Sequence, residues 1–206
     1  MSKLFNKFRS TNIGYFIGGL KTLYQTYFYN YRKEMGFCDP SATVRRPVTI
    51  SNPKNVYLYE DTKIDNAVIL TKNARFILKK HSLTTNGLIV ITGNHERRVG
   101  RFFSTITEAE KKKGLDGDVI VEEDCWLGMG VTLLCGVVVR RGTTVAAGAV
   151  VSKSTPPYSV MGGIPAKLIK FYWSIDQIME HEKSLYPEEE RYTREQLEDF
   201  FAQYKK

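Results

Sequence analysis

Cysteine is scarce in this chain: Cys38, Cys125 and Cys135 are the only three among 206 residues. They make no disulfide framework and no paired metal spacing, and a reducing cytoplasm is compatible with them. Histidine is equally rare. His81, His95 and His181 lie far apart, which argues against a zinc site needing several histidine ligands and an open position, so no metal is expected. Long apolar runs are also missing. From Ser10 to Tyr31 only Lys21 is charged, but the stretch is rich in Tyr, Thr, Asn and Gln. A central lysine costs about 2.5–3.5 kcal/mol on insertion scales, and a membrane span is rejected. The basic start lacks a compact apolar region with a small-residue cleavage site, so no secretory signal is expected.

What is present fits one domain with appendages, since 42% hydrophobic content can supply a sizeable core. The net charge of +8 is uneven. Residues 1–35 hold six Lys or Arg against one Glu, and residues 174–206 hold five against nine acids. The middle is therefore basic, which suits an anionic ligand. Nucleic acid is the other reading of a basic protein, but no recognised nucleic-acid fold signature occurs, and no such partner is expected.

The organising pattern runs from Val119 to Val151. Val121, Leu127, Leu133, Val139, Val145 and Val151 recur at every sixth position. Two places before them stand Val119, Cys125, Val131, Val137, Thr143 and Ala149, which share the same strand face. Gly130, Gly136, Gly142 and Gly148 mark the turns. Repetition at this period indicates a solenoid of short strands. A weaker set begins at Val48 and Ile50. It settles as Leu58, Ile64, Leu70 and Phe76, with Val56, Thr62, Val68 and Ala74 two places earlier. The register is lost from Lys79 to Asn86 and resumes near Ile89 and Ile91.

Residues 92–118 lack the repeat and form an extended loop entered through Thr92-Gly93-Asn94-His95. Such excursions from a regular scaffold are usually functional or disordered. The assignment is an N-terminal helical cap over 1–38, a β-helix over 39–173 and a C-terminal helical tail over 174–206. In the first segment Ile13, Ile17, Leu20, Tyr24, Tyr27 and Tyr31 fit one helical face. Its leading interpretation is a cap on the solenoid end, where strand edges would otherwise be bare. Its second is a peripheral membrane contact through residues 1–35. In the tail, Ser174 caps a helix ending near Leu185, and Thr193 with Gln196 reads as a capping box for the last one. His181 is expected in solvent.

The chain resembles the hexapeptide-repeat acyltransferases of the sugar and polysaccharide O-acetyltransferase type, similar to maltose and galactoside acetyltransferases. The likeness is carried by Cys125-Trp126-Leu127-Gly128, by Val145 to Lys153, by Pro156 to Val160 and by Gly163 to Lys167. It implies an all-β solenoid wound as a left-handed parallel β-helix. It also implies acetyl-CoA as the acyl donor, a sugar or glycan acceptor, and a homotrimer with active sites between neighbouring chains. By the same resemblance His95 is the catalytic base. Met129, Ala147, Ser152 and Lys153 contact acetyl-CoA, and Lys167 and Lys170 lie near its phosphates. Trp126 and Asn94 wall the substrate site.

The residue chemistry suits that assignment. A hydroxyl attacking a thioester must lose a proton, and an imidazole with an ordinary pKa near ~6.5 can take it. A covalent acyl-cysteine is less attractive, because Cys125 points inward and Cys135 has no recognisable activating partner. The alternative reading is a non-catalytic hexapeptide-repeat scaffold, against which His95 and the cofactor-like stretch both argue. The protein is expected to be cytoplasmic or membrane-peripheral.

Overall fold

Two inward side chains per strand and a turn after each force the chain to coil, because each strand can pair only with its equivalent one coil away. The computed structural model shows this arrangement for residues 11–204. Residues 1–10 and 205–206 lie outside the described residues, and with them Lys3, Lys7 and Arg9 of the basic start. The result is a parallel β-solenoid of about six turns with three faces.

The first face stacks Phe37–Cys38, Val56–Leu58, Phe76–Leu78, Val119–Val121 and Val138–Val139. The second and third faces share two long strands, Thr43–Ile50 and Lys63–Leu70, each bent around the edge between them. Lys63 pairs with Leu83, and the second face continues through Trp126–Leu127 and Thr144–Val145 to Ser159–Gly162. Ala67 to Leu70 pair with Leu88–Ile91, and the third face continues through Thr132–Leu133 to Val150–Val151. A final antiparallel strand, Lys167–Phe171, closes against Ser159–Gly162.

The six anchors from Val121 to Val151 are completely buried, and their partners from Val119 to Ala149 are at most 2% exposed. The upstream register needs a correction. Val68 and Leu70 face outward, and Ala67 and Ile69 take the inward places. Likewise Leu88 and Val90 point inward while Ile89 lies outside. The cause is at the edge, where Asn66 adopts φ 38° and shortens the step between faces by one residue. A one-residue slip exchanges the two faces of a strand. The stretch without a legible register is also placed: Ser82 and Thr84 point inward and Leu83 outward. Ser82 belongs to a column of small side chains, Ala42, Thr62, Ser82, Cys125, Thr143 and Ser159, along the edge that opens the second face. The hydroxyls there donate to backbone carbonyls, Ser82 to Glu122 and Thr62 to Tyr59.

The N-terminal helix α1 spans Asn12–Tyr27 and is capped by Thr11, whose side chain accepts from the Gly14 N–H. It buries none of its residues, so its apolar side does not cover the solenoid of its own chain. That end is covered by Tyr31, with Tyr29 and Met35 packed against the core. At the other end α2, Ile175–Leu185, and α3, Arg194–Gln203, carry complete capping boxes at Ser174 and Thr193. Ile178 and Leu197 are buried, and Phe201 stacks on Phe171 at 3.7 Å. Leu185, the last residue of α2, is exposed. His181 is half-buried rather than in solvent. Its ring packs on Trp173 and Tyr158, and its Nε2 is buried without a partner.

One buried cluster ties this tail to the solenoid. The Arg141 guanidinium donates to both Glu182 oxygens at 3.1 and 3.0 Å and to Glu123 at 3.3 Å. Tyr158 donates to Glu182 at 2.6 Å, and the Tyr192 N–H donates at 2.9 Å. Burial raises the Tyr158 pKa, and its bond to Glu182 raises it further. Removing one partner of such a buried pair typically costs about 3–5 kcal/mol. Glu182→Ala is therefore expected to lower stability by about that amount, read as a drop in the denaturant midpoint. A change within ~0.5 kcal/mol, the range of ordinary surface substitutions, would show that the cluster contributes nothing net.

Candidate functional site

The residues singled out from the sequence fall on two different edges of the solenoid. Asn94 and His95 follow the third-face strand Leu88–Ile91, on the edge that leads to the first face. They line a cleft of about 520 Å³ with Ser51, Thr71, Lys72, Lys111 and Asp116. His95 is exposed. Its ring meets Phe103 edge-on at 5.5 Å, and the Arg97 guanidinium lies over the Phe103 ring. Its N–H donates to Asn94 Oδ1 at 3.0 Å. Among the described residues the imidazole has no hydrogen-bond partner within the chain.

The loop holding His95 is tied down by carboxylates. Asp116 accepts from the Asn94 N–H at 2.8 Å, from Lys111 Nζ at 2.5 Å and from Asn73 Nδ2 at 2.8 Å. Burial pushes the Asp116 carboxyl up, but these donors outweigh it and hold its pKa below the usual value. Asp118 closes the loop with two bonds to the Arg75 side chain and one to its N–H. Glu96 accepts from Arg98 and from the Lys112 N–H, which lower its pKa to about 2. Sequence reading missed Asp116. Its signal was its place at the exit of the excursion, opposite Asn94 at the entrance.

The second edge lies between the second and third faces. Trp126, Met129 and Ala147 meet there with Thr85, Gly128, Thr144 and Ala146 around a groove of about 440 Å³. Trp126 and Met129 are exposed. Gly128 admits no larger residue: a Cβ there would stand 2.7 Å from the Ala147 nitrogen. Lys167 continues the edge, since it pairs with Gly162, which abuts Ala146. Lys170 lies further along the same strand, opposite Val160. Ser152 and Lys153 follow the third-face strand Val150–Val151, so they share an edge with His95 two coils away, about 10 Å along the axis. The structure thus joins Asn94 with His95, and Trp126, Met129 and Ala147 with Lys167. It does not join the two sets within one chain.

Cys125 is unsuited to nucleophilic work. It is buried, burial pushes its thiol pKa up, and the thiol donates to the Arg140 carbonyl. Among the described residues no group of three or more His, Cys, Asp or Glu could hold a metal ion.

A family model for the bacterial transferase hexapeptide, six repeats, matches residues 118–153. A probable macrolide acetyltransferase of Lysinibacillus sphaericus is 37% identical over 73 residues, 35% of this chain and 41% of that protein. The chain spans well under two thirds of the length of this and the other first curated relatives it matches. Two crystal structures share the fold. A hexapeptide-repeat-containing acetyltransferase of Vibrio cholerae, complexed with acetyl coenzyme A, superposes with a TM-score of 0.64 at 20% identity, covering 81% of this chain and 92% of that one. A maltose O-acetyltransferase of Clostridium difficile gives 0.59 at 19% identity, covering 84% and 90%. The architecture matches the left-handed β-helix of hexapeptide-repeat proteins.

The Asp116 bonds generate a prediction. Asp116→Asn removes the charge that holds the Asn94 N–H, and bonds to charged groups are worth about 1.5–3 kcal/mol. Hydrogen exchange at the Asn94 amide should speed up roughly tenfold or more. In the parent, protection should be constant above the ordinary carboxylate pKa of about 3.9. It should be lost as pH falls through the depressed folded value. An unchanged exchange rate in the variant would remove Asp116 as the anchor.

Proposed function

From the match of residues 118–153 to the bacterial transferase hexapeptide and the fold shared with hexapeptide-repeat acetyltransferases, we propose that the chain is an O-acetyltransferase moving acetyl from acetyl-CoA to a hydroxyl of a sugar or glycan. One observation carries this reading: a free imidazole stands on one edge of the solenoid, and an apolar groove lined by Trp126, Met129 and Ala147 stands on another. The acceptor class is supported by the fold shared with the maltose O-acetyltransferase.

The residues present fit the donor. Gly128 and Ala147 leave room for close approach of an extended pantetheine arm to the edge backbone. Trp126 and Met129 supply apolar wall. Lys167, opposite Gly162, and Lys170, further along the same strand, are both exposed and suit its phosphates. Ser152 and Lys153, on the His95 edge, are assigned to the donor of a neighbouring chain. His95 accepts the proton of the acceptor hydroxyl as that oxygen attacks the thioester carbonyl. The C–S bond then breaks, and the proton can pass to the departing thiolate. Asn94 fixes the backbone of His95 and helps wall the acceptor cleft.

The assembly is a homotrimer in this reading. Val68, Leu70 and Ile89 form an apolar strip on the outside of the third face, between the two edges. The loop tip leaves Val99 and Phe102 bare. Covering both would bring the His95 edge of one chain to the groove edge of the next, and closed cyclic assembly is common.

Two measurements check the proposal. His95→Ala should cut turnover about 10²–10⁴-fold while acetyl-CoA binding persists, because the donor groove lies on another edge. Retained turnover in a folded variant would rule out this base, and no acetyl transfer by the parent to any sugar in an acceptor panel would favour the scaffold reading. The second uses Val68→Glu with Ile89→Glu, which should shift a trimer towards monomer in light scattering and abolish turnover together. A fully active monomer would dismiss the intersubunit site.

A further inference from the structure

The helix α1 poses a problem that catalysis leaves unsolved. On a helical wheel Ile13, Phe16, Ile17, Leu20, Tyr24 and Tyr27 fall within an arc of about 140° that also takes in Leu23 and Phe28. The six are each 50–67% exposed. The opposite side carries Gly14, Gly18, Thr22, Gln25 and Thr26, with Tyr15 the one large side chain among them. Gly14, Gln25 and Thr26 are the partly covered positions of the helix. The helix therefore turns its small polar side towards the protein and its apolar side away from it. That is the reverse of a cap.

Two occupants could cover such a face, a lipid surface or a second copy of the chain. The charge pattern favours the first. No acidic residue precedes Glu34, while Lys21 lies on the helix, Lys33 follows it, and Arg45 and Arg46 belong to the strand packed against it. The Arg46 guanidinium donates to the Tyr29 carbonyl, which keeps this basic group beside the helix end. Tyrosines among aliphatic and phenyl groups suit the depth where headgroups meet acyl chains. Among the described residues no helix is long and apolar enough to cross a membrane, so contact would be with the surface alone.

We propose that α1 lies in the headgroup layer of an anionic bilayer, with its Phe16–Leu20–Tyr24 side inserted and the adjoining basic residues facing the lipid phosphates. Such binding combines buried apolar area with attraction to anionic lipid, and it weakens as salt screens the charges.

The test uses the full chain with vesicles of phosphatidylcholine containing phosphatidylglycerol, and with phosphatidylcholine alone. The parent should co-sediment with the anionic vesicles and lose most binding to neutral ones or in high salt. Phe16→Glu with Leu20→Glu should weaken binding at least about tenfold, since the loss of two buried apolar side chains exceeds 1.4 kcal/mol. Its oligomeric state by light scattering should match the parent. Lys21→Glu with Lys33→Glu, which leaves the apolar face intact, should weaken binding to anionic vesicles and not alter assembly. Failure of the parent to bind either vesicle overturns the proposal. Equal binding to neutral vesicles overturns the assignment of anionic lipid. A smaller assembly in the Phe16–Leu20 variant, without loss of vesicle binding, would give the face to a second copy instead.

Discussion

The solenoid depends on each parallel strand finding its hydrogen-bond partner one coil away, and only the closing strand Lys167–Phe171 pairs with its neighbour in sequence. The Trp126 N–H donates to the Thr143 carbonyl, and the Leu83 N–H to that of Cys125. Side chains at equivalent positions must then lie directly above one another, as Leu58, Leu78, Val121 and Val139 do. A column of this kind tolerates little change of size, because interiors are close-packed. It also aligns the outer residues of each edge. Met129 and Ala147 become neighbours in space because they occupy one edge in consecutive coils. The groove follows from the stacking, with no loop needed to assemble it.

Where stacking governs, the sequence is readable. The anchors from Val121 to Val151 keep a six-residue step and are buried as their spacing implies. Legibility failed where the step changed. A residue with φ 38° at Asn66 shortens the bend, and periodicity alone cannot locate it, since asparagine is unremarkable in a turn. The result was that Val68 and Leu70 were assigned to the core when they form the outer apolar strip. Ser82 and Thr84 escaped notice for another reason. They are buried but polar, and the carbonyl that Ser82 satisfies belongs to Glu122, on the far side of the excursion.

The candidate site was legible in its residue types and not in its arrangement. His95 stood out because the repeat stops there. Asp116 did not, because an acidic residue in a charged loop has no distinguishing pattern. Its importance is geometric: one carboxylate meets the entrance, the middle and the exit of the loop through Asn94, Lys111 and its own position. The helix α1 shows the same division. Its apolar stripe could be read from spacing, but the direction the stripe faces is set by the polar positions Gly14, Gln25 and Thr26, which lie against the rest of the chain.

The two ends of the solenoid are closed by different physics, and the contrast bears on what each end can do. At the C-terminal end, Arg141, Glu182, Tyr158 and Glu123 form a buried network linking the last coils to α2. A network of that kind is costly to open, because breaking any bond leaves a buried charge or hydroxyl unpaired. At the N-terminal end Tyr31 closes the core, and α1 adds no buried residue of its own. The core therefore does not depend on the apolar face of α1, and covering that face elsewhere takes nothing from the stacked coils. An end closed by Tyr31 with Tyr29 and Met35 leaves its helix available for an external surface, whereas an end locked by Glu182 does not.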